Sequence, residues 1–513
     1  MPLRQAPMPS LSPNTRTSSK GDCLLTKQEA TEQVNRLYRI LQYRGQEATE
    51  FKEFYEGKQP LTFASKEWKN FNSTRYKGFT DNWCEVVANS TSERIAVQGF
   101  KLPSSTSSRQ SKREKSLYDS WLMNEQDSWS AQGFLDAMIC RRSFALVWGD
   151  PDGEPIITWR DARQAIVWYD AETNRRRKYG MVIWDDLDAN KEFVTLYDAD
   201  YVYKFQRARV FAGFTGLALP ETVLSSLSFD GGWVMDEEAS GVNHLGVVPL
   251  VEFPNRPVLG TGPLSEIQGV IPMQNAINLL WAYLFNAADY ASMPARVIMG
   301  QAPPKIPIID SLGNKIGERD IDEEKLTQGR MLWLTGEHAS IGQWDAAKLD
   351  VFTDTIEKAV RHIAAQTRTP QHYLMTGAGM SNLSADAIMA AEAGLVQKVM
   401  QARDFFEPRV RDVFELIAIQ KGDDKMAQEA KLGVVKWKNS ESRSEAQKAD
   451  AMVKDIQSGY PFEYLLEKNG HSPSEISRIM DMKTAETQRN MAAGIGDLLN
   501  ASAPPPVNNG AVA

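Results

Sequence analysis

The chain has 513 residues, 42% hydrophobic and 24% charged, which is ordinary for a globular protein and long enough for two to four domains with separate cores. A net charge of −8 argues against tight gripping of nucleic acid through a broad basic face, and no apolar run reaches the roughly 18–20 residues of a membrane span, the nearest candidate being broken by Asn278 and Asn286. Cys23, Cys84 and Cys140 are odd in number and far apart, with neither a CxxC pair nor zinc-ligand spacing, so no disulfide scaffold is expected.

Residues 1–20 are rich in Pro, Ser and Thr, lack the apolar segment of a secretory signal, and read as a disordered arm. Thr26-x-x-Glu29 is a capping-box pattern. Ala30, Val34, Leu37, Tyr38 and Leu41 follow at helical spacing, and Gly45 is expected to stop that helix. A short second helix through Phe51, Phe54 and Tyr55 should end at Gly57. A helix over 81–94 leads into a strand over 95–100. Residues 103–113 read as a Ser-rich basic loop, and helices are expected over 114–123 and 128–141. From 143 to 253 short apolar or alternating runs are punctuated by Gly, Asp and Asn, which predicts a mostly antiparallel β region with a turn at 170–174. Val247-Val-Pro-Leu-Val-Glu-Phe253 closes it, and Pro254-Asn-Arg-Pro257 breaks out. The fold class is therefore α+β.

The stretch from 260 to 419 is the most distinctive. Pro272 either opens a helix in its first turn or kinks a longer one from about Leu264. That helix carries Met273, Ile277, Leu280, Trp281, Leu284 and Phe285, more than one apolar stripe, so it needs neighbours on several sides. A strand-like insert near 293–345 precedes a second helix with Phe352, Ile356, Ala359, Val360 and Ile363, ended by Thr369-Pro370. Gly377-Ala378-Gly379-Met380-Ser381-Asn382 then joins two helices. Its small side chains read, on this segment alone, as an ordinary interhelical connection, with a mobile loop facing a constricted space as the alternative. A third helix starts near Ser384, a plausible cap, with Pro408 expected to kink it. Beyond Lys421 the chain is polar, then helical over 446–456 and 462–468, with a further helix starting at Ser472-Pro-Ser-Glu475.

Motifs that carry reaction chemistry are scarce. There is no GxxxxGK[ST] phosphate loop, no GxSxG elbow and no HExxH pair, and Gly260-Thr-Gly262 lacks the third glycine of a dinucleotide site. Asp185-Asp186-x-Asp188 is the densest acidic cluster. It reads as a solvated hairpin turn, with a two-metal nuclease as the alternative. Arg175-Arg-Arg-Lys178 could touch phosphate, but reads rather as a charged hairpin flank or a protected edge strand. No cofactor and no metal are expected.

Several segments in order resemble the portal proteins of tailed bacteriophages, the siphophage type. They are Tyr55-Glu-Gly57, Ser92-Glu-Arg-Ile-Ala-Val-Gln-Gly-Phe100, Gly246-Val-Val-Pro-Leu-Val-Glu-Phe-Pro-Asn-Arg256, Ser265-Glu-Ile267, Met273-Gln-Asn-Ala-Ile-Asn278, Met293-Pro-Ala-Arg296, Ile363-Ala-Ala-Gln-Thr-Arg-Thr-Pro370 and Asn382-Leu-Ser-Ala385. The resemblance implies a homo-oligomeric ring, usually of twelve subunits, at one capsid vertex. It implies a non-enzymatic conduit for double-stranded DNA that docks the terminase large subunit and later the head–tail connector, alongside capsid and scaffolding proteins, in the virion and without a membrane. It further implies a division after the arm (1–20) into wing (21–258), first stem helix (259–292), clip (293–347), second stem helix (348–368), tunnel loop (369–384), long kinked wing helix (385–420), crown (421–500) and tail (501–513). On that mapping His372 and Gly377 to Asn382 would line the channel. Ile277, Leu280, Trp281, Leu284, Phe285, Ile356, Val360 and Ile363 would pack the stem between subunits. A scaffolding protein without a channel is the remaining alternative.

Overall fold

Helix α1 (Lys27–Tyr55) opens on the expected capping box, with Glu29 N donating to Thr26 Oγ1 at 3.3 Å and Thr26 N donating to Glu29 Oε2 at 2.8 Å. This is a computed structural model, and it describes residues 24–59, 79–104, 111–208, 232–292, 296–299, 305–309, 315–319, 331–334, 348–374, 385–440 and 445–501. Contrary to the sequence expectation, α1 does not stop at Gly45. Ala48, Phe51 and Phe54 beyond it are buried, and Lys52 Nζ lies 2.9 Å from both Asp136 and Asp161. Those contacts outweigh the ~1 kcal/mol that glycine costs inside a helix. The true end comes before Gly57, whose φ of +68° only glycine adopts without strain.

Helix α2 (Trp83–Ser92), strand β1 (Val97–Lys101), α3 (Lys112–Met123) and α4 (Gln126–Cys140) follow close to their expected positions. The basic loop is shorter than expected, because Ser111 and Glu114 form a second capping box that takes Lys112 and Arg113 into α3. Gly133 of α4 lets that helix approach the Trp159 ring. A Cβ there would lie 2.1 Å from Trp159 Cε3. Gly133→Ala is therefore expected to destabilise by about 1–3 kcal/mol through overpacking, despite alanine's better helix propensity. Urea denaturation checks this, and a stabilised variant would show that α4 and Trp159 are not in contact.

The β region contains β2 (Arg142–Gly149), β3 (Pro155–Arg160), β4 (Ala165–Tyr169), β5 (Arg177–Asp186), β6 (Lys191–Tyr197), β7 (Tyr201–Ala208), β8 (Val234–Val242) and β9 (Leu250–Pro254). They form a three-stranded sheet, β3-β2-β9, and a five-stranded sheet, β4-β5-β6-β7-β8, both antiparallel throughout. Alternation decides what each face covers. Tyr179, Met181, Leu196, Tyr203 and Phe205 of the larger sheet pack on Ala30, Val34, Leu37 and Leu41 of α1. Val167, Val182, Tyr197 and Val202 pack instead with Phe144, Val248 and Leu250 of the smaller-sheet region. A sheet covered on both sides explains why its strands read as apolar runs rather than strict alternation.

Helix α5 (Ile271–Ser292) settles the position of Pro272, which sits in its first turn, where a missing N–H costs nothing. In the insert, β10 (Arg296–Met299) pairs in parallel with β13 (Met331–Leu334), and β11 (Ile306–Ile309) pairs antiparallel with β12 (Lys315–Arg319). Then come α6 (Asp350–Thr367), α7 (Gln371–Leu374) and α8 (Ala385–Gln420), which continues through Pro408 as one 36-residue helix. Ser384 lies outside the described residues, as do residues 1–20 and 502–513.

The chain beyond 421 does not begin as the polar stretch expected. Helix α9 (Asp424–Ala430) and strand β14 (Val434–Trp437) come first, and β14 pairs antiparallel with β1. Met426, Ala427, Ala430 and Val435 join Phe100, Trp121, Phe134, Phe253, Phe406 and Phe414 in one core. Residues 424–437 thus share a core with segments assigned to the wing. After them come α10 (Glu445–Gln457), α11 (Phe462–Lys468) and α12 (Pro473–Ala501). Helix α12 opens on the expected Ser472/Glu475 cap.

Candidate functional site

Helices α5 and α6 lie side by side, and their apolar faces enter one cluster with α1, α2 and α4. Ile277, Leu284, Ile356, Val360 and Ile363 are buried within the single chain. Leu280, Trp281 and Phe285 are half-buried, and Tyr283 is 44% exposed. The pair is thus packed on one flank and partly open on another.

A polar ladder on α5 accompanies this packing, and helical periodicity did not reveal it. Gln274 and Asn278 are buried, one turn apart. Trp83 N donates to Gln274 Oε1 at 2.7 Å, Asp81 N to Asn278 Oδ1 at 3.1 Å, and Trp281 Nε1 to Asp81 Oδ2 at 2.8 Å. Phe79 meets Trp281 and Phe285 edge-on at centroid distances of 6.3 and 5.1 Å. Together these fix the segment leading into α2 along α5, with the Gln274 and Asn278 side chains both hydrogen-bonded as burial requires.

Two buried carboxylates make ties to α8, one from the α5–α6 pair and one from α7. Glu266, just before α5, lies 2.7 Å from Lys398 Nζ of α8 and 3.3 Å from Arg256 Nε. Lys398 also donates to Thr367 O at the end of α6, at 3.2 Å. Burial alone would raise the Glu266 carboxyl. The Lys398 and Arg256 charges, with hydrogen bonds from Lys398 and Asn255, outweigh it and hold the group below the usual carboxylate range. The second carboxylate is Glu392 of α8. It accepts from the Tyr373 hydroxyl at 3.0 Å, pairs with Arg94 at 3.2 Å, and lies 3.5 Å from His372 Nε2. It therefore joins α7 to α8 on either side of residues 375–384. His372 is placed at the start of that connection, while Gly377, Ala378, Gly379, Met380, Ser381 and Asn382 lie outside the described residues.

The candidate reaction centres look different once placed. Asp186 Oδ1 accepts from the backbone N–H groups of Asp188 and Ala189 at 2.9 and 3.0 Å, so it caps the β5–β6 turn. Among the described residues, no group of three or more His, Cys, Asp or Glu side chains is placed to hold a metal ion. The buried Cys84 thiol is pushed up to about 12 by desolvation, which disfavours the thiolate. Arg175 and Arg176 lie in the β4–β5 turn and Arg177 opens β5. The hairpin-flank reading holds. The edge-strand reading does not, since β5 lies between β4 and β6.

Residues 35–488 match the model of one protein family, described as phage portal protein, SPP1 Gp6-like. The chain belongs to the phage portal family. Among its relatives, the portal protein of Mycobacterium phage L5 is 27% identical over 385 residues, covering 72% of this chain and 71% of the relative. The portal protein of Mycobacterium phage D29 is 26% identical over 384 residues, with the same coverage. The match spans α5, α6 and both buried carboxylates, so the helix pair and its ties to α8 lie inside the portal homology. A structural role in a bacteriophage follows from family membership. No helix among the described residues is long and apolar enough to cross a membrane.

Proposed function

We propose that this portal protein assembles into a closed ring, of twelve subunits on the family pattern, at one capsid vertex, and that double-stranded DNA passes through its centre during packaging and ejection. The terminase large subunit docks on it first and the head–tail connector later, on the insert between α5 and α6. Capsid and scaffolding proteins surround it in the virion. The protein performs no chemistry of its own: it is a channel and a docking platform, and needs no cofactor.

The observation that carries this reading is the half-covered α5–α6 pair. One flank is buried in the chain's own core. Leu280, half-buried, and Tyr283, 44% exposed, lie on the side of α5 away from Phe79 and stay partly open. Such a surface is completed by a neighbour, and in a closed ring each subunit offers two different complementary surfaces. An acidic chain repeated around a bore also repels DNA phosphates and limits sticking. The connection of residues 375–384, anchored at both ends through Glu392, is the segment proposed to meet DNA, with His372 at its base.

Leu280→Asp tests the stem contact. The substitution is expected to abolish rings in native mass spectrometry, because a charge sealed between subunits is costly. The monomer is expected to lose only about 1 kcal/mol, since Leu280 is half-buried there. Rings at wild-type abundance would remove α5 from the subunit contact.

A further inference from the structure

A cleft of about 510 Å³ lies where the β4–β5 turn, the loop before β9, the middle of α8 and the end of α9 meet. It is strongly basic in a chain that is acidic overall. Arg175, Arg176, Arg177, Arg409, Arg411 and Lys431 line it against two carboxylates, Asp412 and Glu415. Those carboxylates are already engaged. Asp412 lies 3.2 Å from Arg409 and 3.9 Å from Arg177, and Glu415 lies 3.0 Å from Lys431. Among the described residues no ion pair reaches Arg175, Arg176 or Arg411. Arg177 Nη1 and Arg411 Nε are buried without a hydrogen-bond acceptor, a state that a protein normally resolves with a partner. The rest of the lining includes Val247, Val248, Pro408 and the 71% exposed Leu432.

A surface of the opposite character occurs on the same chain. Asp185 and Asp186 end β5, and the turn to β6 carries Asp188 beside Leu187, which is 71% exposed at the tip. Strand β5 links the two features. Arg177 begins it at the cleft and Asp186 ends it at the acidic tip. At about 3.3 Å per residue they stand roughly 30 Å apart, at opposite ends of the sheet. One chain cannot bring them together.

We propose that the basic cleft receives the β5–β6 turn of a second copy of this chain, with Asp188 and Leu187 at its tip. Carboxylates meet the Arg175, Arg176 and Arg411 guanidinium groups, whose planar forks suit them, and Leu187 covers the apolar lining beside Leu432. Donor and acceptor surfaces at opposite ends of one strand make the contact head-to-tail. Such a contact closes into a ring or continues as a filament. The closed form rests on the ring reading above. Within it, the contact adds a second subunit interface, separate from the α5–α6 flank.

A charge swap tests the contact. The tip variant is Asp188→Lys, leaving Asp186 to cap the turn and Asp185 in β5 unchanged. The cleft variant is Arg175→Glu with Arg176→Glu, both exposed turn residues. Assembly is followed by sedimentation velocity at physiological salt. Each variant alone is expected to raise the concentration for half-assembly by about tenfold or more, and the two combined to recover most of that loss, because like charges facing each other are repulsive and the swap restores opposite signs. Wild-type-like assembly by both single-side variants would overturn the contact while leaving ring assembly in place. A wild-type chain that stays monomeric would overturn both. Assembly unchanged in the cleft variant, with weakened binding of a duplex oligonucleotide by anisotropy, would assign the cleft to DNA instead and equally overturn the proposal.

Discussion

Glu266→Ala is expected to destabilise the fold by about 3–5 kcal/mol, the usual cost of stranding a buried charge. The stranded charge is Lys398, whose side chain is 7% exposed beside a Glu266 side chain at 3%. Its other acceptor, Thr367 O, is a neutral carbonyl at 3.2 Å. Replacing both residues by methionine removes the charge and the desolvation penalty together, so the double variant is expected to recover much of the loss. The same pair makes stability depend on acid. The folded-state ionisation of Glu266 lies below its unfolded value, so its contribution is fully present above the unfolded carboxylate range. It is lost as pH falls through the folded value. Urea denaturation from pH 7 downward is therefore expected to show a shallower decline for Glu266→Gln than for wild type. A loss below about 1 kcal/mol for Glu266→Ala would mean that solvent reaches the pair and that it does not tie α5 to α8.

Phe414→Ala is the second large effect, at about 3–5 kcal/mol. Phe414 is fully buried and stacks on Phe100 at 4.1 Å and on Trp121 at 5.3 Å. Those rings come from β1 and α3, and the same core takes in α9 and β14. The cavity would therefore weaken a junction among segments spread over most of the chain. Denaturation midpoints measured by tryptophan fluorescence and by far-ultraviolet circular dichroism are expected to shift together. A fluorescence shift alone would show that β1 and β14 do not share a cooperative core with α8.

What was legible in the sequence is what short-range chemistry encodes. Thr26/Glu29 and Ser472/Glu475 name their own helix starts because each partner is three residues away. Phe462–Lys468 is bounded as expected, between Pro461 and a turn ending in Gly470. The antiparallel β region was legible from its turns. Errors arose where a distant partner decided the outcome. Gly45 fails to end α1 because residues beyond it are buried against α2 and α4 and Lys52 reaches Asp136 and Asp161. Strand β14 has four residues and exists through pairing with β1, near the other end of the chain.

The candidate site was legible to a similar depth. Periodicity picked out Ile277, Ile356, Val360 and Ile363 as packed, and they are buried, although within one chain. It could not reveal Gln274, Asn278, Glu266, Lys398 or Glu392. Polar residues on a helix normally read as its solvent face, and nothing local marks them as partners of Asp81, Arg256 or Tyr373. A polar residue interrupting an apolar stripe, as Asn278 does, was the one available signal. The family resemblance rested on ordered segments rather than on any single motif, and the match over residues 35–488 bears it out.

The central claim is that this chain works as a ring around DNA, and negative-stain electron microscopy of the purified protein tests it most directly. Rings with a central hole and twelve-fold symmetry are the expected result. Monomers or compact dimers without a hole, at concentrations well above those of assembly in a cell, would contradict it.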